Sequence, residues 1–189
     1  MKMILAFNGS PNPIGNTSIA LNIVTNELNK RNILTENIQI GGKTIRPCKG
    51  CRKCWDLKNK QCVITNDIVN DLILKMYRSD GFIIGSPVYT SNVTAEVKAF
   101  IDRTNFVAKA NDSMFKGKIG APVIVATKTG ATFAYAAINF MFGISEMITV
   151  GSTYWNSAFG KMPGDILSDD EGIRSFVNLG KNMAEMLNK

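Results

Sequence analysis

The chain has 189 residues, a formal net charge of +7, 45% hydrophobic and 20% charged residues, four cysteines and no histidine. That length suggests one domain, able to bury roughly 70% of the surface its unfolded chain exposes. The lack of histidine excludes Ser-His-Asp hydrolysis, histidine-based metal hydrolysis and the usual near-neutral general base.

The excess charge is local. Between Lys43 and Cys62, seven basic residues face one acid, Asp56. With no aromatic-basic stacking pattern and no helix-turn-helix signature, nucleic acid is not the expected partner, and anionic cofactors or substrates are. The N-terminal run MKMILAF is too short for a signal peptide and reads as a strand. No segment approaches the roughly 20 apolar residues of a spanning helix, so no membrane association is expected and the cytoplasm is the expected compartment. Disulfides rarely persist there, which leaves the cysteines as thiols, metal ligands or redox groups.

Apolar runs alternate with periodic segments. Met3–Phe7 (MILAF) predicts a buried strand, and Thr17–Lys30 a helix with Ile19, Ile23, Val24 and Leu28 on one stripe. Thr35–Ile40 predicts a second strand; after the cysteine loop, 43–66, comes a helix over Asp67–Tyr77 with Ile68, Leu72, Ile73 and Met76 aligned. Gly81–Gly85 predicts a third strand, Val93–Arg103 a helix, Ile119–Thr127 a fourth strand, and an apolar helix runs on to Phe142. Met147–Gly151 predicts a short fifth strand and Glu171–Leu187 the last helix, with Gly160–Asp170 as a loop between them. Such alternation implies right-handed crossovers and a parallel sheet covered on both faces. The fold class is therefore α/β: a flavodoxin-like, doubly wound, five-stranded sheet of order 2-1-3-4-5 with ligands at the carboxyl ends of the strands. Residues 1–189 are read as a single flavodoxin-like domain carrying the cysteine-rich loop.

The loop after the first strand, Gly9-Ser10-Pro11-Asn12-Pro13-Ile14-Gly15-Asn16-Thr17-Ser18, runs straight into a helix. Free amides and the positive dipole end of a helix favour an anion there, although Asn, Thr and Ser also serve simply as caps. The loop lacks GxGxxG, and Asn16 stands where a P-loop has lysine, so a monophosphate fits better than a dinucleotide or a nucleoside triphosphate.

These residues resemble the flavodoxin-like NAD(P)H-dependent FMN reductases. The family's GSP-x-x-x-GNT loop stands here as Gly9-Ser10-Pro11 through Gly15-Asn16-Thr17. Its second signature stands as Gly85-Ser86-Pro87-Val88-Tyr89 followed by Lys98-Ala99-Phe100-Ile101-Asp102-Arg103. The likeness is close from Met1 to Thr132, and Asn12 replaces the arginine of many relatives. It implies that Ser10, Asn12, Asn16, Thr17 and Ser18 bind the FMN phosphate. Pro87, Val88, Tyr89, Thr90 and Ser91 would line the isoalloxazine, and Thr129 and Gly130 would close its other edge. No protein acid or base is assigned, because the flavin carries the hydride chemistry. Packing is the expected role of Tyr154 and Trp155.

The cysteines follow C-x2-C-x2-C-x7-C: Cys48, Cys51, Cys54 and Cys62. Structural zinc sites pair two separated knuckles, whereas a C-x2-C-x2-C run suits an iron–sulfur cube. The loop resembles that of the iron–sulfur flavoprotein branch of the same family, which implies a [4Fe-4S] cluster on these four residues. Zinc and plain thiols, the latter with lowered pKa beside so many cations, stay open. The expectation is an FMN-dependent oxidoreductase that takes hydride from transiently bound NAD(P)H. Electrons would pass to a small acceptor (quinone, nitro compound, flavin) or to an acidic electron-transfer protein. On the resemblance alone it would be a homodimer or homotetramer. The alternatives are a flavodoxin-type carrier without NAD(P)H turnover, a P-loop-like hydrolase, and a zinc-bearing binding module.

Overall fold

Alternation along the first strand sets up two cores. In the computed structural model, which describes residues 1–189, β1 (Met3–Asn8) sends Leu5 and Phe7 to one face and Ile4 and Ala6 to the other, all fully buried. A strand covered on both sides must be apolar on both, which is why MILAF shows no polar alternation.

The order along the sheet is β2-β1-β3-β4-β5, formed by β2 (Leu34–Gln39), β3 (Gly81–Pro87), β4 (Ile119–Ala126) and β5 (Ile148–Thr149), all parallel. On one face lie α1 (Asn16–Asn29) and α6 (Asp170–Leu187); on the other lie α3 (Val69–Arg78), α4 (Ala95–Ala110) and α5 (Ala131–Ile144). The second face is held by an aromatic chain in which Phe7 meets Phe100 at 4.8 Å and Phe82 meets Phe115 at 5.3 Å between ring centroids. Offset and edge contacts at such spacing stabilise beyond the area they bury. No helix is long and apolar enough to cross a membrane.

Several expectations shift. The buried stripe of α1 runs through Ala20, Leu21, Val24 and Leu28, while Ile19 and Ile23 are only partly covered. The helix meets β3, β4 and α6 together, so its covered face is wider and rotated from the isoleucines. In α3, Val69 replaces Ile68 at the start of the buried face. The fifth strand is split. After β5, residues 150–156 leave the sheet, and the chain returns as β6 (Ser157–Phe159), which pairs parallel with Ile124–Ala126 on the same edge of β4. Asn156 closes the excursion by donating to the Val150 carbonyl at 3.2 Å.

The largest miss is α4, which runs seven residues beyond the expected Arg103. Arg103, Thr104 and Asn105 look like a helix end, yet the first two are fully buried. Thr104 donates back to the Phe100 carbonyl at 2.8 Å, and Arg103 is paired with Asp67. Side-chain partners thus hide a continuous buried face under polar residue types. A short helix, α2 (Lys53–Leu57), also forms inside the cysteine loop.

Candidate functional site

Two sites stand apart on this frame: a cleft at the carboxyl ends of β1, β3 and β4, and a cavity against the C-terminal half of α4.

The cleft begins with Gly9, whose amide donates to the Gly85 carbonyl at 2.8 Å. A Cβ here would lie 2.1 Å from Val97 Cγ2 and 2.7 Å from that carbonyl oxygen, so only glycine lets the two ligand loops meet. Thr94, the N-cap of α4, donates from its hydroxyl to the Gly9 carbonyl at 3.0 Å and receives Val97 N–H. Asn8 accepts from Ser10 N–H at 3.0 Å and donates to Gln39, which in turn donates to the Ser10 and Gly41 carbonyls. The loop after β1 is thus braced from β2 as well as from α4.

The first helical bond of α1 is Ile19 N–H to the Gly15 carbonyl, and no side chain caps the helix. The amides of Asn16, Thr17 and Ser18 precede that bond and have no partner in the chain. Together with the buried Ser10 and Thr17 hydroxyls, they form a donor cradle without bulk.

The loop after β3 makes the opposite wall. Tyr89 and Asn92 exchange N–H···O bonds at 2.8 and 3.0 Å across a two-residue turn. Both central residues, Thr90 (φ 48°) and Ser91 (φ 58°), are left-handed, as a type I′ turn requires, although neither is glycine. Backbone held this way by its surroundings is characteristic of ligand clamps. Gly130 (φ 86°) packs its Cα against Ser91; a Cβ would come within 2.8 Å of the Ser91 hydroxyl.

Of the residues expected to bind cofactor, Ser10, Asn12, Asn16, Thr17, Pro87, Val88 and Tyr89 line this cleft together. Thr129 and Gly130 line an adjoining cavity of about 280 Å³ with Lys128, Tyr154 and Trp155. Thr90 and Ser91 form the turn between the two, and Ser18 offers its amide from the first turn of α1. Asn16 has a second role. Its side chain donates to the Met162 carbonyl and accepts from Gly164 N–H, both at 2.8 Å, tying the 160–164 loop across the cleft. Through it Gly160, Lys161 and Pro163 join the lining. Sequence reasoning passed over this loop; the signal available was its Gly-Lys-Met-Pro-Gly composition, a turn carrying one cation. Trp155 meets Tyr154 and Tyr135 in tilted ring contacts, at 5.9 and 5.5 Å between centroids. Trp155 is still 49% exposed, so packing accounts for only part of its surface.

The cysteine loop wraps by left-handed steps at Gly50, Arg52, Lys58 and Lys60. Asn70 clamps it, accepting Cys62 N–H and donating to the Cys62 carbonyl, each at 2.8 Å. Cys48, Cys51, Cys54 and Cys62 then line one cavity with Ile64, Phe106, Val107 and Arg103. Gly50 N–H already donates to the Cys48 sulfur at 3.4 Å. No three acidic or cysteine side chains converge on a single-ion point. A lone zinc ion needs its sulfurs gathered about 2.3 Å from one centre, whereas a cube of iron and sulfide takes thiolates from a wider ring. Four thiols on one loop are a donor set that an iron–sulfur cube takes. Burial, reinforced by Cys62 and Cys48, pushes the Cys54 thiol up; the expectation that cations would lower the thiols fails at this residue.

Below the loop, Arg103 and Asp67 form an ion pair with both side chains fully buried. Burial opposes ionisation of Asp67. The Arg46 amide, the Arg103 guanidinium and the Val69 amide outweigh it and hold the carboxyl below its ordinary 3.8. Sequence reasoning used Arg103 only to recognise a motif. Its position at the seeming end of a helix gave no sign of burial.

A parallel five-strand order with a donor-lined cleft at its switch point defines a flavodoxin-like protein. The sequence model of the NADPH-dependent FMN reductases matches residues 2–161, and the chain belongs to that family. It is 34% identical to an iron-sulfur flavoprotein of Methanocaldococcus jannaschii, over 97% of this chain and 96% of that one. It is 30% identical to an iron-sulfur flavoprotein of Archaeoglobus fulgidus, over 99% and 98% of the two chains. Among solved structures, the Trp repressor binding protein of Bacillus subtilis superposes with a TM-score of 0.68 at 17% identity, covering 93% of this chain and 96% of that chain. A flavodoxin from the domain Archaea superposes at 0.64 with 15% identity, covering 100% of both chains. The last two establish likeness of fold.

Proposed function

We propose that the chain acts as one FMN-binding domain that takes hydride from NAD(P)H. It then delivers electrons, through a [4Fe-4S] cluster on Cys48, Cys51, Cys54 and Cys62, to a small acceptor or an acidic protein carrier. Membership of an FMN reductase family and likeness to iron-sulfur flavoproteins support this reading. The observation that carries it is the cleft itself, where three unpartnered amides at the start of α1 face the strained 89–92 turn.

FMN held in the cleft would supply hydride acceptance and one-electron release, and a cluster held by the four cysteines would supply one-electron transfer. The protein's part is positioning. The amides of Asn16, Thr17 and Ser18 and the hydroxyls of Ser10 and Thr17 would hold the phosphate. Lys161 lies on the far lip as a counter-charge. The Thr90 and Ser91 amides, outside the Tyr89–Asn92 bond pair, would donate to the ring edge, with Tyr89 shielding it from water. The adjoining cavity, lined by the aromatic pair Tyr154 and Trp155 with Lys128, Asp169 and Glu171 around them, leaves room for a flat reductant lying next to the flavin. Around the cysteine cavity, Lys43, Arg46, Lys49, Arg52, Lys53 and Lys58 are exposed, together with Trp55 and Leu57. A cationic surface with an apolar centre favours an acidic partner. Phe133, Phe140 and Ile144, all more than half exposed on α5, supply an apolar face for self-association.

The test is anaerobic purification with FMN, iron and sulfide measured per chain, followed by NADH and NADPH oxidation with an artificial acceptor. Flavin, iron and turnover together support the proposal; a colourless protein that takes up no FMN defeats it. The exposed cationic face gives specific support to one other reading, an electron carrier without NAD(P)H turnover. Flavin and iron without nucleotide oxidation would select it.

A further inference from the structure

Arg103 is the largest fully buried side chain in the molecule. Its Nη1 donates to Asp67 and to the Arg46 carbonyl, and its Nη2 to the Ile64 carbonyl at 2.9 Å. Its Nε has no partner at all, one of three such buried side-chain atoms in the chain. A charged donor kept from water without an acceptor is costly, and native structures rarely leave one unexplained. Arg103 is also part of the wall of the cavity that the four cysteines line. The rest of that wall is Lys49, Arg52, Val63, Ile64, Phe106 and Val107, which brings no carboxylate to accept from Nε. The four sulfurs are the side-chain acceptors that the cavity does contain.

We infer that Arg103 is a positioning residue for the cluster, donating from Nε to a cysteine or cluster sulfur and raising the cluster's reduction potential. This rests on the cluster proposed above. The geometry suits the task. The two Nη groups bind the chain on either side of the cysteine loop, at Arg46 and Ile64, and Asp67 holds the guanidinium from behind. The plane of the fork is therefore set before any cluster is assembled, and Nε is the donor that remains. Hydrogen bonds to sulfur and nearby positive charge both stabilise the reduced, more negative cluster. Guanidinium keeps its charge at any working pH. The exposed lysines and arginines of the loop are screened by water and the Arg103 charge is balanced by Asp67, which leaves the buried Nε–H as the unscreened donor.

The experiment uses full-length protein labelled with ¹⁵N-arginine and purified anaerobically. Iron and sulfide are assayed first, and a protein that assembles no cluster ends both the cluster reading and this inference. In iron-loaded protein, dithionite adds one electron to the cluster, and pulsed EPR looks for ¹⁵N coupling. The expected result is a coupling that survives in Arg52→Lys and in Asp67→Asn and disappears in Arg103→Lys. In Arg103→Lys the reduced-to-oxidised ratio at a fixed solution potential should fall about tenfold, about 59 mV for a one-electron couple. Iron-loaded wild-type protein without ¹⁵N coupling overturns the inference while leaving the cluster standing. So does a coupling that persists in Arg103→Lys. If that variant does not fold, a wild-type coupling that survives in both Arg46→Lys and Arg52→Lys supports the inference, and one lost in either overturns it.

Discussion

The cleft and the cysteine cavity are built from different materials. The cleft is mostly backbone: a glycine contact, three free amides and a tight turn, pinned by Thr94 at the start of α4 and by Asn8 and Gln39 at the ends of β1 and β2. The cavity is made of side chains on a loop with one short helix, braced by Asn70 and by the buried Arg103–Asp67 pair. A backbone site is finished when the sheet is finished, so its ligand only needs to fit. A side-chain site on a loop keeps unmet demands, here four sulfurs and one guanidinium nitrogen, and is completed by what it binds.

The sharpest break of this comparison is Cys51→Ala, which should abolish bound iron while FMN per chain stays unchanged; iron retained at the wild-type level would sink the cluster assignment. Next is Arg103→Met, which strands Asp67 as a lone buried charge and should cost about 3–5 kcal/mol in urea unfolding. A loss under 1 kcal/mol would mean the pair is not buried in solution. Gly9→Ala forces a methyl into Val97 and Gly85, at about 1–3 kcal/mol, with FMN affinity falling alongside stability. Thr17→Val should weaken FMN about tenfold, or about 1.4 kcal/mol, without changing iron content. An equal loss in riboflavin binding, which involves no phosphate, would place Thr17 elsewhere.

The smallest effect is in pH. Asp67 has a folded value below its ordinary 3.8. Its contribution is therefore complete above about pH 3.9, the unfolded value, and is lost as pH falls through the lower folded value. The urea midpoint gap between wild type and Asp67→Asn should narrow from pH 7 to pH 3. A gap of equal size at both would show that the carboxylate does not titrate there.

Residue pattern was a good guide wherever burial and composition agree. The doubly covered strands are apolar runs, and both ligand loops follow them directly, so Ser10, Thr17, Pro87 and Tyr89 were legible as neighbours of one cleft. It failed where partners remote in sequence change what a residue type means. Arg103 reads as a helix end until Asp67, 36 positions earlier, is folded against it. Asn16 reads as a phosphate donor until Met162 and Gly164 engage its side chain. The two-part fifth strand escaped because Ser157–Phe159 is too short to show any period.

By itself, the order of apolar runs, turn residues and cysteines determined the parallel sheet, the donor-rich loop before the first helix and the gathering of four thiols, since each is written in the residue types of short, contiguous segments. Tertiary structure alone decided that the 160–164 loop closes the cleft and that a buried arginine stands under the cysteines. Both follow from long-range contacts in which a polar group must find its partner once water is excluded, and no local pattern records which partner that will be.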